Sequence, residues 1–353
     1  METIVGIDLF AGAGGLSLGA RRSGIEILYA VERDPNAAKT FSFNHPGTHV
    51  INDDIKNIQN FQIHTAKSDH LILFGGPPCQ GFSTSNQKTR NRMNPQNWLF
   101  YEFIRFVKKL KPRWIVIENV KGITETENGL FGQLLYQEFQ ELGYFCSVHL
   151  LCASDFGIPQ KRNRFFLIAS QKPASLNFEA YKKKEIVSVY DAISDLPSLP
   201  NGANSDVLPY KCSPLSEYAT KLRGGLSECS GHFVTKNSEA VLQRYTHIPP
   251  GGNWSSIPDK LMSNYKDKSR CHTAIYYRLP QGEPSITIGN YRKSMIIHPW
   301  ENRGLSVREA ARLQSFPDSY RFCGSIGFCQ QQVGNAVPPM LAEVIFKEII
   351  SNF

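Results

Sequence analysis

The chain has 353 residues, 41% of them hydrophobic and 20% charged, with a net charge of +8. This composition is ordinary for a soluble globular protein, and the length exceeds what one hydrophobic core usually takes, so we expect two domains. No apolar run approaches the roughly 20 residues that a membrane-spanning helix needs, and the first residues show no signal-peptide pattern. We therefore expect a cytoplasmic protein with no membrane contact.

The net charge and the cysteines narrow the possible partners. A positive net charge is consistent with a polyanionic partner, although many basic proteins bind nothing acidic. The eight cysteines include no Cys-x-x-Cys pair, so we expect no metal site. In a reducing compartment they are expected to be free thiols.

The chain begins with a strand, a glycine turn and a helix. Residues 3–10 predict a strand, Gly12 and Gly14 lie in the turn, and a helix begins near Leu16. This order is typical of the first unit of a dinucleotide-type fold, although two glycines alone are weak evidence.

Acidic residues follow the next two predicted strands. Glu32 ends the strand at residues 25–31, where its carboxylate is placed to accept hydrogen bonds from ribose hydroxyls. Asp54 ends a third short strand, where it is placed to accept from an adenine amino group while Ile55 packs on the ring. The predicted fold class is α/β, a Rossmann-like doubly wound mixed sheet accompanied by a smaller irregular domain.

Cys79 is the candidate nucleophile. The apolar run at residues 71–74 predicts a buried strand, and the glycines and prolines of residues 75–78 end it. Cys79 follows at the carboxyl end of that strand, the edge at which ligands bind in open α/β sheets. Prolines stiffen the approach, and a thiol is intrinsically very nucleophilic. An isolated cysteine would more often be a small buried side chain.

Charged residues recur after this point. Residues 84–96 form a polar, basic stretch, which predicts either a loop that closes over a phosphate backbone or a plain solvated loop. Glu118 lies at the end of an apolar strand, where a carboxylate is costly unless it is partnered or used. If residues 158–168 form a strand, then Gln160, Arg162 and Arg164 share one of its faces.

The alternation of strands and helices ends near residue 171. We predict a first domain at residues 1–180, a loop-dominated second domain at 181–325 that is rich in residues able to touch phosphate and base edges, and a C-terminal segment at 326–353 that returns to the first domain. A capping box at Ser306 and Glu309 predicts a helix that Pro317 ends.

Six motifs in this order resemble those of the DNA (cytosine-5)-methyltransferase family, of the kind found in bacterial restriction–modification systems. They are residues 8–15, 76–80, 118–120, 160–164, 308–317 and 334–337. The part without a match, roughly 185–280, is where this family places its variable target-recognition region.

The resemblance implies S-adenosylmethionine as the cofactor. Glu32 would take the ribose, and Asp54 with Ile55 would take the adenine. The remaining pocket residues would be Phe10, Ala11, Gly12, Gly14, Gly15, Leu16, Arg33, Pro77, Leu99, Asn335 and Ala336. The family often has a stacking aromatic residue where this chain has Arg33, so this position departs from the family pattern.

The resemblance also implies the chemistry. Cys79 would add to carbon 6 of a cytosine, Glu118 would donate or share a proton at ring nitrogen 3, and Arg164, with Arg162, would hold the base carbonyl. Asn119 belongs to the same catalytic set. The reaction requires a base flipped out of duplex DNA, and the implied DNA contacts are Gln80, Ser83, Ser85, Lys88, Arg90, Arg92 and Arg278.

Double-stranded DNA is the implied partner, a functional pairing with a restriction endonuclease is possible, and a monomer would suffice. One alternative is an RNA cytosine-5 methyltransferase of the same architecture, whose Cys-Phe-Thr signature is absent from this sequence. A non-catalytic DNA-binding module would predict the loss of Cys79 or Glu118. A nicotinamide oxidoreductase would predict Gly-x-Gly-x-x-Gly, but Ser17 stands at the third glycine position.

Overall fold

The structure is a computed structural model that describes residues 3–61, 70–78, 99–123, 129–263, 272–289 and 291–353. The chain divides into two compact units. Unit 1 comprises Met1–Cys152, Asn163–Lys182 and Pro339–Phe353, and unit 2 comprises Ala153–Arg162 and Lys183–Pro338. Over the described ranges, no helix has the length and hydropathy to cross a membrane.

The strands and helices alternate in the first half of the chain. The strands are β1 (Val5–Leu9), β2 (Glu26–Val31), β3 (His49–Ile51), β4 (Leu71–Gly75), β5 (Trp114–Val120), β6 (Phe145–Cys152), β7 (Gln160–Lys161), β8 (Asn163–Ser170), β9 (Val207–Pro209), β10 (Glu228–Ser230) and β11 (Ser285–Ile286). The helices are α1 (Gly15–Arg22), α2 (Pro35–Asn44), α3 (Phe100–Leu110), α4 (Leu130–Glu141), α5 (Val189–Ile193), α6 (Glu217–Arg223), α7 (Glu239–Thr246), α8 (Val307–Leu313), α9 (Ile326–Asn335) and α10 (Pro339–Ser351).

Unit 1 is built on a mixed sheet. In the described part of the chain this sheet has seven strands in the order β3-β2-β1-β4-β5-β8-β6. Strands β1 to β5 pair in parallel, whereas β8 runs antiparallel to both β5 and β6. The predicted doubly wound α/β fold is confirmed. The strand order reverses between β1 and β4, which is where such sheets bind ligands.

The central strands are buried on both faces, as their continuous apolar sequences predict. Every residue of β1 and of β4 is buried. Their ends lie so close that a Cβ added at Gly75 would stand 1.8 Å from the carbonyl oxygen of Leu9. Glycine is therefore required at Gly75, and the loops that follow β1 and β4 leave the sheet side by side.

The C-terminal helix completes unit 1. α10 packs on α1 so closely that a Cβ at Gly19 would lie 2.4 Å from Ala342 Cβ, and Ser23 Oγ donates to the carbonyl of Glu343 at 3.1 Å. The return to unit 1 begins at Pro339 rather than at the predicted residue 326. The other change of unit, at residues 182/183, lies two residues from the predicted boundary at 180/181.

A buried ion network organises unit 2. The guanidinium of Arg312 pairs with Asp318 at 2.6 Å and with Asp195 at 3.1 Å, and none of the three side chains is exposed. Tyr210 donates its hydroxyl to Asp318 at 2.6 Å. Buried charges of this kind need such partners, because desolvation would otherwise outweigh any gain. The predicted capping box is present at the start of α8, with Ser306 and Glu309 bonding each other's backbone.

We expect Arg312→Ala to destabilise unit 2 strongly. Removing one member of a buried ion network leaves two carboxylates without their main partner, which typically costs about 3 to 5 kcal/mol of unfolding free energy. Urea unfolding, followed through the hydrogen exchange of unit 2 peptides, measures this cost.

Lys161→Ala is the matched control, because the ion pair of Lys161 with Glu283 is exposed on both sides. This variant is expected to lose about 1 kcal/mol or less. Equal losses in the two variants would contradict the structural role of the Arg312 network.

Candidate active site

A glycine turn joins β1 to α1. Gly12 and Gly14 have φ values of +55° and +86°, in the left-handed region that favours glycine. Phe10 adopts a φ of +63°, which is costly for a non-glycine residue and is found preferentially at functional sites. The turn therefore holds its main chain in a fixed and partly strained shape at the end of β1.

The Glu32 carboxylate is locked against this turn. Its Oε2 accepts a hydrogen bond from the Gly12 amide at 2.8 Å, and its Oε1 accepts from the Asp34 amide at 2.7 Å. Burial raises the pKa of Glu32, and these two hydrogen bonds oppose the rise. Each carboxylate oxygen can accept a further bond, so Glu32 is preorganised and retains the capacity to bind two hydroxyls.

Asp54 and Ile55 lie on the neighbouring strand end. A short 3₁₀ turn, Ile55–Asn57, begins after Asp54, whose Oδ1 accepts from the Lys56 amide at 3.1 Å. Asn52 joins this segment to the end of β2 by donating to the carbonyls of Glu32 and Arg33 at 2.8 and 3.0 Å.

Arg33, which stands where the family often has a stacking aromatic residue, is exposed. Its Nη1 lies 3.6 Å from Asp54 Oδ2.

These residues fit an adenosine-containing cofactor. Glu32, which can accept from two hydroxyls, follows β2, and the Asp54 carboxylate and the buried Ile55 side chain follow the adjacent strand β3. The neighbouring glycine turn leaves open space beside Gly12. Of the other predicted pocket residues, Ala11, Gly14, Gly15 and Leu16 are buried in the same turn and helix start, and Pro77 and Leu99 are buried elsewhere in unit 1. Asn335 and Ala336 belong to unit 2 and end α9 there.

The structure brings three motifs together around Glu118, at the end of β5. Glu118 Oε1 pairs with Arg164 Nε at 2.8 Å, and both side chains are nearly buried. A Cβ at Gly76 would lie 2.9 Å from Glu118 Oε2, so the carboxylate lies against the loop that follows β4. Asn119 reaches the same loop, where its Nδ2 donates to the Pro77 carbonyl at 3.2 Å.

Arg164 reaches Glu118 because β8 is antiparallel to β5. The register pairs Arg164 with Val120. Its Nη1 donates to the carbonyl of Asn163 at 2.8 Å. Burial lowers the pKa of the Arg164 guanidinium, and the Glu118 charge opposes this effect. The Glu118 carboxylate thus fixes the place of the Arg164 guanidinium at the end of β5.

Seven predicted residues lie outside the described part of the chain. They are Cys79, Gln80, Ser83, Ser85, Lys88, Arg90 and Arg92. The described main chain reaches Pro78, one residue before the candidate nucleophile. The contacts of Gly76 and Pro77 with residues 118 and 119 thus define where the path to Cys79 begins.

The structure corrects the prediction for Arg162. The segment is not one strand, since β7 ends at Lys161, β8 begins at Asn163, and Arg162 lies between them in unit 2. Its side chain is buried, and its Nη2 donates to the carbonyls of Gly334 and Ala336 at 2.9 and 3.0 Å. Arg162 therefore supports the backbone of residues 334–336, and the predicted shared strand face with Arg164 is wrong.

The structure also corrects the prediction for Arg278. Its guanidinium is buried and donates to the carbonyls of Ile248, Tyr245, His298 and Glu301 and to Asn302 Oδ1. All three of its nitrogens are engaged inside unit 2, so this side chain is not available to contact DNA. The sequence around an arginine in a loop-rich region does not show whether its side chain contacts DNA or is buried as a structural donor.

One buried acid was not singled out from the sequence. Asp8 interrupts the apolar strand β1, and its Oδ2 accepts from Ser17 Oγ at 2.6 Å. Its Oδ1 has no hydrogen-bond partner among the described residues. Burial raises the pKa of Asp8 to about 8, and the nearby Glu32 adds to the rise. An aspartate within an otherwise apolar strand is the sequence feature that could have identified Asp8 as a buried acid.

Comparison with known proteins agrees with this geometry. A family model described as C-5 cytosine-specific DNA methylase matches residues 4–351. The Type II methyltransferase M.DdeI of Desulfomicrobium norvegicum is 33% identical over 97% of this chain and 88% of its own length. M1.HphI of Haemophilus parahaemolyticus is 34% identical over 98% and 86%. A crystal structure of a prophage-encoded DNA modification methyltransferase from E. coli superposes with a TM-score of 0.80 at 29% identity, covering 99% of both chains.

The raised pKa of Asp8 predicts a pH-dependent effect of Asp8→Asn on stability. Between the ordinary pKa of 3.8 and the folded-state value of about 8, the unfolded chain releases a proton that the folded chain retains. The unfolding free energy of the wild type therefore falls as pH rises through this window. The Asp8→Asn variant lacks this loss, so its unfolding free energy relative to that of the wild type should increase from about pH 5 to about pH 8.

Urea unfolding of both proteins across this pH range measures the difference. Asp53→Asn makes the same exchange of atoms on an exposed turn and serves as the control. A difference between Asp8→Asn and wild type that does not change with pH would show that Asp8 ionises normally in the folded protein.

Proposed function

Because the chain belongs to the C-5 cytosine-specific DNA methylase family, it is a DNA (cytosine-5)-methyltransferase that uses S-adenosylmethionine, and we propose that Cys79 is its nucleophile. The observation that carries this proposal is the contact of Glu118 and Asn119 with Gly76 and Pro77. A proton-handling carboxylate and the loop that leads to a thiol meet at one edge of the sheet.

Carbon 5 of cytosine is too electron-poor to accept a methyl group unaided. The Cys79 thiolate adds to carbon 6, forming a carbon–sulfur bond and making carbon 5 enamine-like. The bound cofactor supplies an electrophilic methyl group on a sulfonium. Once carbon 5 carries the methyl group and has lost its proton to a base, the carbon–sulfur bond breaks and Cys79 leaves as the thiolate.

Glu118 stabilises the charge that thiolate addition creates. Its Oε1 is held by Arg164, and its Oε2 lies on the side of Gly76, from which the carboxylate shares a proton with ring nitrogen 3 of the base. The guanidinium of Arg164 donates to the base carbonyl and orients the ring. Asn119 fixes the Pro77 carbonyl and so orients the approach to Cys79.

The cofactor residues follow the same strand ends. Glu32 binds the ribose hydroxyls, Asp54 accepts from the adenine amino group, and Ile55 packs on the ring. The remaining proposed contacts are those of the glycine turn with Phe10, together with Pro77, Leu99, Asn335 and Ala336. In place of a stacking aromatic residue, the Arg33–Asp54 ion pair orients the carboxylate that binds the adenine.

The DNA substrate must present a flipped base, because the addition to carbon 6 cannot occur within a stacked duplex. Ser85 and Arg90 fill or clamp the resulting gap, and Gln80, Ser83, Lys88 and Arg92 contact the DNA around it. The similarity to Type II methyltransferases supports a pairing with a restriction endonuclease. We place the protein in the bacterial cytoplasm, where its DNA lies, acting as a monomer.

We expect Cys79→Ser to abolish methyl transfer and to leave the binding of duplex DNA and S-adenosylhomocysteine within about threefold of wild type, because a neutral hydroxyl is a far weaker nucleophile than a thiolate. Transfer of a tritiated methyl group to duplex DNA is the measurement. Cys212→Ser, which changes an exposed cysteine, should retain full activity.

The same assay with tRNA tests the RNA alternative. Transfer to duplex DNA and none to tRNA is the expected result, whereas preferential transfer to tRNA would support the alternative. Full activity of the Cys79→Ser protein would rule out covalent attack by this residue.

A further inference from the structure

The turn that carries Asp54 and Ile55 is held from helix α3 by one arginine. The Nη2 group of Arg105 donates to the carbonyl of Ile55 at 3.0 Å and to the carbonyl of Ile58 at 2.9 Å. These two residues begin and follow the 3₁₀ turn, and both side chains are buried. One guanidinium therefore spans the whole turn.

The other hydrogen bonds of the turn are local, since they join residues at most four positions apart. Within it, the amides of Asn57 and Ile58 donate to the carbonyls of Asp54 and Ile55 at 2.9 and 3.2 Å. Short 3₁₀ segments have poor hydrogen-bond geometry and are weak by themselves. Hydrogen bonds from a charged donor are about twice as strong as neutral ones. Arg105 thus supplies a charge-assisted contact from a distant helix to the backbone that positions Asp54, in addition to the local bonds of the Asp53 and Asp54 carboxylates.

Arg105 is itself fixed. Its Nε pairs with Glu102 Oε2 at 2.8 Å, one turn earlier on the same helix, and both side chains are about two-thirds buried or more. The helix is anchored in the core of unit 1 through Phe103 and Phe106, and Leu99 immediately precedes it. The guanidinium therefore holds the Asp54 turn at a fixed place relative to helix α3.

We propose that Arg105 is a positioning residue for the adenine end of the cofactor. By holding the carbonyls of Ile55 and Ile58, it sets the place of the Asp54 carboxylate and the Ile55 side chain relative to Leu99 at the start of α3. Its effect passes through Asp54 and Ile55. This inference rests on the proposed cofactor roles of those two residues.

Arg105→Ala tests the proposal through ligand binding, without turnover. Titration calorimetry with S-adenosylhomocysteine should give a Kd about tenfold higher than that of wild type, because two charge-assisted hydrogen bonds to the turn are lost. Lys109→Ala is the matched control. Lys109 is exposed and donates from the same helix to the carbonyl of Gln59 at 2.7 Å, and Gln59 lies beyond the end of the turn. This control should bind within about twofold of wild type.

A double-mutant cycle distinguishes positioning from a general structural role. Since the effect of Arg105 passes partly through Asp54 and partly through Ile55, Arg105→Ala combined with Asp54→Ala should bind no more than about threefold more weakly than Asp54→Ala alone. A further tenfold loss in the double variant would contradict the proposal. Methyl transfer by Arg105→Ala should show a raised KM for S-adenosylmethionine with kcat nearly unchanged.

Arg105→Lys provides a second test in case Arg105→Ala does not fold. Lysine keeps the charge and one bond to the turn, so its Kd should lie between those of wild type and Arg105→Ala. Wild-type affinity in both variants would overturn this inference alone. Failure of the wild type to bind S-adenosylhomocysteine would instead overturn the proposed cofactor site.

Discussion

The pairing of Glu118 with Arg164 is the contact on which the site depends. A carboxylate at the end of a buried strand is costly without a partner, and the antiparallel strand β8 supplies that partner at 2.8 Å. The same carboxylate lies against Gly76, so the ion pair also fixes where the loop toward Cys79 can run. The antiparallel insertion in an otherwise parallel sheet is therefore the feature that connects the fold to the chemistry.

The two halves of the chemistry are built on different strands and meet in the middle of the sheet. The glycine turn, Glu32 and Asp54 follow β1, β2 and β3, whereas the loop toward Cys79, Glu118 and Arg164 belong to β4, β5 and β8. The close approach of Gly75 to Leu9 joins the two groups where the strand order reverses. A methyl donor on one side and a base on the other would thus meet at a single edge.

Local patterns predicted much of this arrangement. The apolar runs of β1, β4 and β5, the glycine turn and the Ser306 capping box depend on neighbouring residues, and all are confirmed. Arg162 and Arg278 were misread because strand interruption and guanidinium burial depend on contacts with residues far away in the chain. Arg105 went unnoticed for the same reason, since its partners lie about fifty positions earlier.

The central claim is that the thiol of residue 79 bonds transiently to a flipped cytosine. Duplex DNA carrying 5-fluorocytosine tests it most directly, because fluorine cannot leave carbon 5 as a proton does and the covalent intermediate accumulates. In the presence of S-adenosylmethionine, peptide mass spectrometry should find the methylated base attached to Cys79. Absence of an adduct, or attachment through another cysteine such as Cys323, would contradict the account.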